Sequence, residues 1–286
     1  MFKRLCGLFL MLLAGGCATV PDVHERAATA ATLAAAQGWQ AVDINAPPFL
    51  LLAYRPAHAS HSRILTIYIE GDGLAWLSGA TPSADPTPRS PVALQLALAH
   101  HRRLPASSVA WLGRPCQYVH AERTGCAQRY WTDARFAPDV VAALDSAVTE
   151  LKRAAKADTL VLAGYSGGGA LAVLLAARRN DVSGLVTVAG NLDHAAWTQH
   201  HGVRPLRVSL NPADVADKVA AIPQRHFVGS QDVVIPPGLV RYWPVALLGP
   251  RQANLTIVSG QTHACCWANH WPGLLESVMP EIRMAD

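Results

Sequence analysis

The stretch Ala163-Gly164-Tyr165-Ser166-Gly167-Gly168-Gly169-Ala170 sets one serine among four glycines. It lies between the apolar run Thr159-Leu160-Val161-Leu162 and Leu171-Ala172-Val173-Leu174-Leu175, a run rich in helix formers. The flanks predict a buried strand that turns sharply into a helix. Glycine serves where a backbone is crowded or enters the left-handed region. A turn of this kind lifts the serine oxygen above the sheet and keeps its neighbours small, so that substrate approach and chain packing do not collide.

Working outward, short apolar runs with little alternation recur at 49–54, 64–69, 109–112, 159–162, 185–188, 226–228 and 255–258. Such runs suit strands buried on both faces of a mostly parallel sheet. Helical patterns separate them. Pro138 to Ala155 sets Val140, Val141, Leu144, Val148 and Leu151 on one face, with Pro138 and Asp139 suited to its first turn. Further helices are expected over 91–101, 168–179 and 271–283, and the Ala-rich segment 27–37 reads as a helix or a spacer. Strands alternating with helices predict an α/β layered fold with helices on both faces, in which ligands sit beyond the carboxyl ends of the strands.

Gly164-Tyr165-Ser166-Gly167-Gly168 matches G-x-S-x-G in the strand-to-helix context the motif requires, and here the chain resembles the α/β-hydrolase superfamily. The resemblance spans about residues 45 to 285 and implies a serine nucleophile, then an acid, then a histidine along the chain. Ser166 alone is a weak nucleophile and needs a base, which in turn needs a group to fix its tautomer. Asp232, in the turn after His226-Phe227-Val228, looks like the acid, with Asp193 as the alternative. His263, in the polar loop after Leu255-Thr256-Ile257-Val258, looks like the base, with His200, His201 and His270 as alternatives. The resemblance also implies an oxyanion hole from the N–H of Gly167 and an N–H of the Glu70-Gly71-Asp72-Gly73 loop, with Asp72 preferred to Gly73. That loop departs from the family's usual histidine and glycines, so the Asp72 carboxylate must point away or be paired. No metal or organic cofactor is required.

At 286 residues, with 51% hydrophobic and 15% charged, the chain is long enough for a sizeable core. It carries 24 Lys and Arg against 20 Asp and Glu; without Lys3 and Arg4 the balance is 22 to 20, and no basic run suggests nucleic acid. Lys3 and Arg4 precede the apolar run Leu5 to Leu13, too short to span a bilayer, and then small residues, the pattern of an export signal. Leu13-Ala14-Gly15-Gly16-Cys17-Ala18 resembles a bacterial lipobox, with Ala14 where leucine is commonest. The expectation is a signal peptide over 1–16, lipidated Cys17, a spacer or helix over 17–44 and a hydrolase domain over 45–286. It places the protein in the cell envelope, anchored by lipid to a membrane surface, and the absence of aspartate at position 18 favours the outer membrane.

Export favours disulfides. Cys116 and Cys126, ten apart, are the favoured pair, while Cys265 and Cys266 are open between a vicinal bridge, other partners and free thiols. Proline- and aromatic-rich insertions, with Trp76, Trp111, Tyr118, Tyr130, Trp131 and Trp197 among their residues, are expected to roof the site. Arg114, Arg129 and Arg135 are candidates for holding a substrate carboxylate or for solvated surface charge. A small-molecule carboxylic ester demands least of such a site. An amidase or peptidase using the same triad, and a non-catalytic envelope lipoprotein of the same fold, are the alternatives; the latter has no use for a complete Ser, Asp, His set.

Overall fold

The computed structural model describes residues 20–58, 62–118, 125–250, 253–278 and 282. The signal peptide and Cys17 lie outside the described residues. Eight strands form one sheet in the order β1-β2-β4-β3-β5-β6-β7-β8. In chain order they are β1 (Trp39–Ala46), β2 (Phe49–Pro56), β3 (Ile64–Ile69), β4 (Ser108–Leu112), β5 (Thr159–Tyr165), β6 (Val182–Val188), β7 (Gln224–Gly229) and β8 (Leu255–Val258). β1 and β2 pair antiparallel, as do β2 and β4, and the rest are parallel. The central strands β3 and β4 are buried at every position, which is why their sequences do not alternate.

Helices cover both faces. On one side α1 (Val23–Ala35), α2 (Val92–Arg103) and α8 (Trp267–Val278) enclose a core that includes Ala30, Leu94, Trp111 and Trp271. On the other, α3 (Pro138–Ala155) and α4 (Gly167–Ala176) enclose Leu144, Val148, Leu171 and Phe136. All five apolar residues of the expected α3 stripe are buried. Shorter helices α5 (His194–His200), α6 (Ala216–Val219) and α7 (Val245–Leu248) lie in the later connections.

One alternative is decided and one expectation is corrected. Of helix and spacer for the N-terminal segment, the described residues 20–44 form the helix α1 and the strand β1, which pairs along its full length with β2, and Ala30 and Ala34 are fully buried. The last helix starts at Trp267 rather than 271, with Pro272 inside it, because Trp267 and Trp271 must both reach the core. Smaller shifts occur at α2, which runs to Arg103, and at α4, which ends at Ala176. The expected roofing aromatics serve mainly as packing. Trp111, Tyr130 and Trp131 are buried, and Tyr118 meets the Trp111 ring edge-on.

Leu144 is fully buried in α3 beneath the sheet. Leu144→Ala is expected to lower the unfolding free energy by about 2–5 kcal/mol, read from urea denaturation followed by circular dichroism.

Candidate active site

β5 runs into α4 through Ser166, whose φ of 53° is left-handed although it carries a side chain. Holding a non-glycine residue there costs on the order of 1–3 kcal/mol, and the surroundings impose it. Ser166 N–H donates to Val188 O, and Ser166 O accepts from the N–H groups of Gly169 and Asn191. The glycines answer for the crowding: a Cβ on Gly164 would overlap the Gly168 carbonyl, and one on Gly168 would overlap the backbone of Ile69 and Glu70. The first turn of α4 opens toward the serine, where its free N–H groups and dipole favour negative charge.

The expected acid, Asp232, follows β7. Asp232 is 2% exposed, and its Oδ1 accepts from Val234 N–H and Ile235 N–H, both at 2.8 Å. That turn is pinned from outside, because Trp197 Nε1 and the His201 ring each bond Val234 O at 2.8 Å. The expected base, His263, follows β8. His263 Nδ1 lies 2.9 Å from Asp232 Oδ2, and its Nε2 lies 3.0 Å from Ser166 Oγ. A carboxylate only accepts, so Nδ1 carries the proton and Nε2 is left to accept from the serine hydroxyl. The backbone of His263 is fixed by its carbonyl, which accepts from Tyr165 O–H and Trp267 Nε1. Thus the structure brings Ser166, His263 and Asp232 together in one hydrogen-bonded line.

The alternatives lie elsewhere. Asp193 caps α5 through bonds from Ala195 N–H and Ala196 N–H and accepts from Asn211 Nδ2. His201 serves Val234 O, and His200 and His270 are exposed.

The loop after β3 explains its two acidic residues. Glu70 is fully buried and accepts from Gly71 N–H, Ala93 N–H at the start of α2, and Trp111 Nε1. Burial pushes its carboxyl up, and those bonds pull against the rise. Asp72 is paired with Arg114 and Arg135, both buried, so these two arginines are neither solvated surface charge nor free to hold a substrate carboxylate through the groups that grip Asp72. Arg129 is exposed over the Tyr130 ring. Arg114 Nη2 also donates to Arg135 O, and Gln117 Nε2 to Gly71 O. Because Gly71 N–H is used by Glu70, Asp72 N–H is the next donor of the loop, and a Cβ on Gly71 would crowd the Tyr165 ring and Ser166 Cβ. Gly167 and Asp72 donate through their backbone N–H to no other described residue.

Cys116 and Cys126 are joined by a disulfide, and Cys265 is joined to Cys266 in the exposed loop beside His263. Among the described residues, no group of three or more His, Cys, Asp or Glu is arranged to hold a metal ion. The roles of Tyr165, Trp267 and Trp197 in bracing the site were not read from the sequence. Tyr165 adjoins Ser166 and Trp267 follows His263 by four residues, which is the signal that was available.

No family model matches the sequence, and no curated protein matches it. Solved structures do. Est1E of Butyrivibrio proteoclasticus superposes with a TM-score of 0.58 at 16% identity, over 84% of this chain and 98% of its own. The fold is that of the α/β hydrolases. An α/β serine hydrolase without lid from Xanthomonas campestris gives 0.56 at 16% identity over 87% and 97%. An esterase of Pyrococcus furiosus gives 0.57 at 12% identity over 86% and 92%. Within this α/β-hydrolase fold the line of Ser166, His263 and Asp232 sits at the carboxyl ends of β5, β8 and β7.

Burial alone would raise the Asp72 carboxyl, but Arg135 and Arg114 outweigh it and hold it at about 2. An unfolded Asp titrates near ~3.9, so the pairing stabilises the fold above about pH 4 and is lost as pH falls toward about 2. Asp72→Asn is expected to cost about 3–5 kcal/mol near pH 7 by leaving two buried guanidiniums unpaired. The gap between wild type and variant in urea unfolding should narrow from about pH 4 downward.

Proposed function

We propose that the protein is a serine hydrolase that cleaves carboxylic esters through an acyl-enzyme on Ser166. The observation that carries this reading is the unbroken line from Asp232 through His263 to Ser166 Oγ. Ser166 Oγ attacks the ester carbonyl while His263 Nε2 takes its proton, and Asp232 stabilises the imidazolium that forms. The tetrahedral oxyanion is bound by the N–H groups of Gly167 and Asp72, where the α4 dipole adds to the stabilisation. His263 then gives its proton to the leaving alkoxide. Water, activated by the same nitrogen, attacks the acyl-enzyme and frees the acid and Ser166. These steps need no group that the chain does not supply. The lipobox-like Leu13-Ala14-Gly15-Gly16-Cys17 supports a second part of the reading, in which the enzyme is exported and held at a membrane of the cell envelope by lipid on Cys17.

A fluorophosphonate probe is expected to label wild-type protein at Ser166, read by peptide mass. Ser166→Ala should lose the label and about 10⁴-fold or more of turnover on nitrophenyl esters. Asp232→Asn should keep the fold and lose about 10⁴-fold in kcat, because the amide favours the wrong imidazole tautomer. Labelling that persists in Ser166→Ala contradicts the assignment.

A further inference from the structure

The start of the folded chain and the mouth of the site lie on the same face. Trp39, at the beginning of β1, pairs with Pro56, at the end of β2. β2 runs antiparallel to β4, so both residues mark the edge of the sheet remote from Ser166. α1 leads into that edge at its carboxyl end, so its amino end, capped by Asp22, lies toward the carboxyl ends of the parallel strands. A buried contact confirms the direction. Arg26, in the first turn and 5% exposed, donates to Thr87 O and lies 3.6 Å from Asp85. Thr87 and Asp85 belong to the same loop that carries Asp72.

That loop leaves the site as a narrow excursion. Leu74 N–H bonds Pro86 O, Ser83 N–H bonds Ala75 O, Trp76 bridges to Pro82, and Leu77 N–H bonds Thr81 O. Residues 74–84 carry no charge, and residues 76–81 are exposed at the tip. Trp76 is 40% exposed and Leu77 55%, while the other seven tryptophans are buried or half-buried. On the opposite side of the mouth, Val233, the neighbour of Asp232, is 78% exposed. Exposed tryptophan with apolar neighbours on an uncharged tip suits the headgroup region of a bilayer. Four residues separate Cys17 from Asp22, five steps of the chain and a reach of at most ~18 Å, so an anchor there holds this face near the membrane.

We propose that the protein docks mouth-down on the phospholipid surface, with Trp76 and Leu77 entering the boundary between headgroups and acyl chains, so that ester substrates reach Ser166 from the membrane side. The inference rests on lipidation of Cys17 and on the hydrolase reading. The full chain, purified from bacterial envelopes, is first weighed intact to establish a diacylglyceryl group on Cys17. It is then reconstituted into phosphatidylethanolamine–phosphatidylglycerol vesicles whose acyl chains carry bromine, a contact quencher of tryptophan. Wild type is expected to lose emission relative to unbrominated vesicles, and Trp76→Phe to lose most of that decrement while still labelling with fluorophosphonate. An independent variant, Leu77→Asp, is expected to slow hydrolysis of a long-chain nitrophenyl ester dissolved in vesicles about tenfold while leaving a short water-soluble ester unaffected. An unmodified Cys17 overturns the proposal at the anchor and leaves the hydrolase reading intact. A lipidated protein with no quenching, or with equal quenching in Trp76→Phe, overturns the orientation. Absent quenching together with a dimer in sedimentation assigns the tip to a second copy of the chain and overturns it too. Failure of fluorophosphonate labelling in wild type tests the hydrolase reading separately.

Discussion

The site depends on one crowded turn. Ser166 is held in a left-handed backbone conformation because β5 must reverse into α4 within a space that leaves no room for a Cβ on Gly164 or Gly168. The same turn aims the hydroxyl at His263 and directs the first N–H groups of α4 at the space beside it. Replace its small residues and the strand, the helix and the loop after β3 can no longer approach each other. The four glycines are therefore a packing requirement, and the reactive position of the serine is its consequence.

Around that turn, three loops are fixed by groups that do no chemistry in the proposed mechanism. The loop after β3 is secured by Glu70 beneath it and by Asp72 between Arg114 and Arg135. The acid turn after β7 is pinned through Val234 O, and the histidine loop after β8 through His263 O. Buried charge beside a reactive centre is costly unless paired; Asp72 is paired with Arg114 and Arg135, while Glu70 and Asp232 are held by N–H donors. The result is a site in which Asp232, His263 and Ser166 already stand within hydrogen-bond distance of one another, the arrangement that the proposed mechanism uses.

Much of this was legible because it is local. A strand, a glycine turn and a helix are written in consecutive residues, as are the turn after β7 and the loop after β8, so Ser166, Asp232 and His263 emerge from short-range patterns. The order of the strands and the pairing of β1 with β2 need contacts between runs whose composition gives no partner, and β1, interrupted by Gln40, Asp43 and Asn45, lacks the continuous apolar run that marked the other strands. The grip on Asp72 was hidden for a related reason. Arg114 and Arg135 lie 42 and 63 residues from it, and arginine in a loop looks the same in sequence whether it is solvated or buried. Trp267 was missed because the last helix was expected to start four residues later, at 271, and nothing local shows that its indole N–H fixes the backbone of His263.

The most direct test is a diffraction structure of the protein after reaction with a small alkyl fluorophosphonate. The account predicts phosphorus bonded to Ser166 Oγ, its non-bridging oxygen about 3 Å from both Gly167 N and Asp72 N, and His263 Nε2 beside the departed group's position. A phosphonyl group on any other residue, or an oxygen turned toward solvent with those two amides unoccupied, would contradict it.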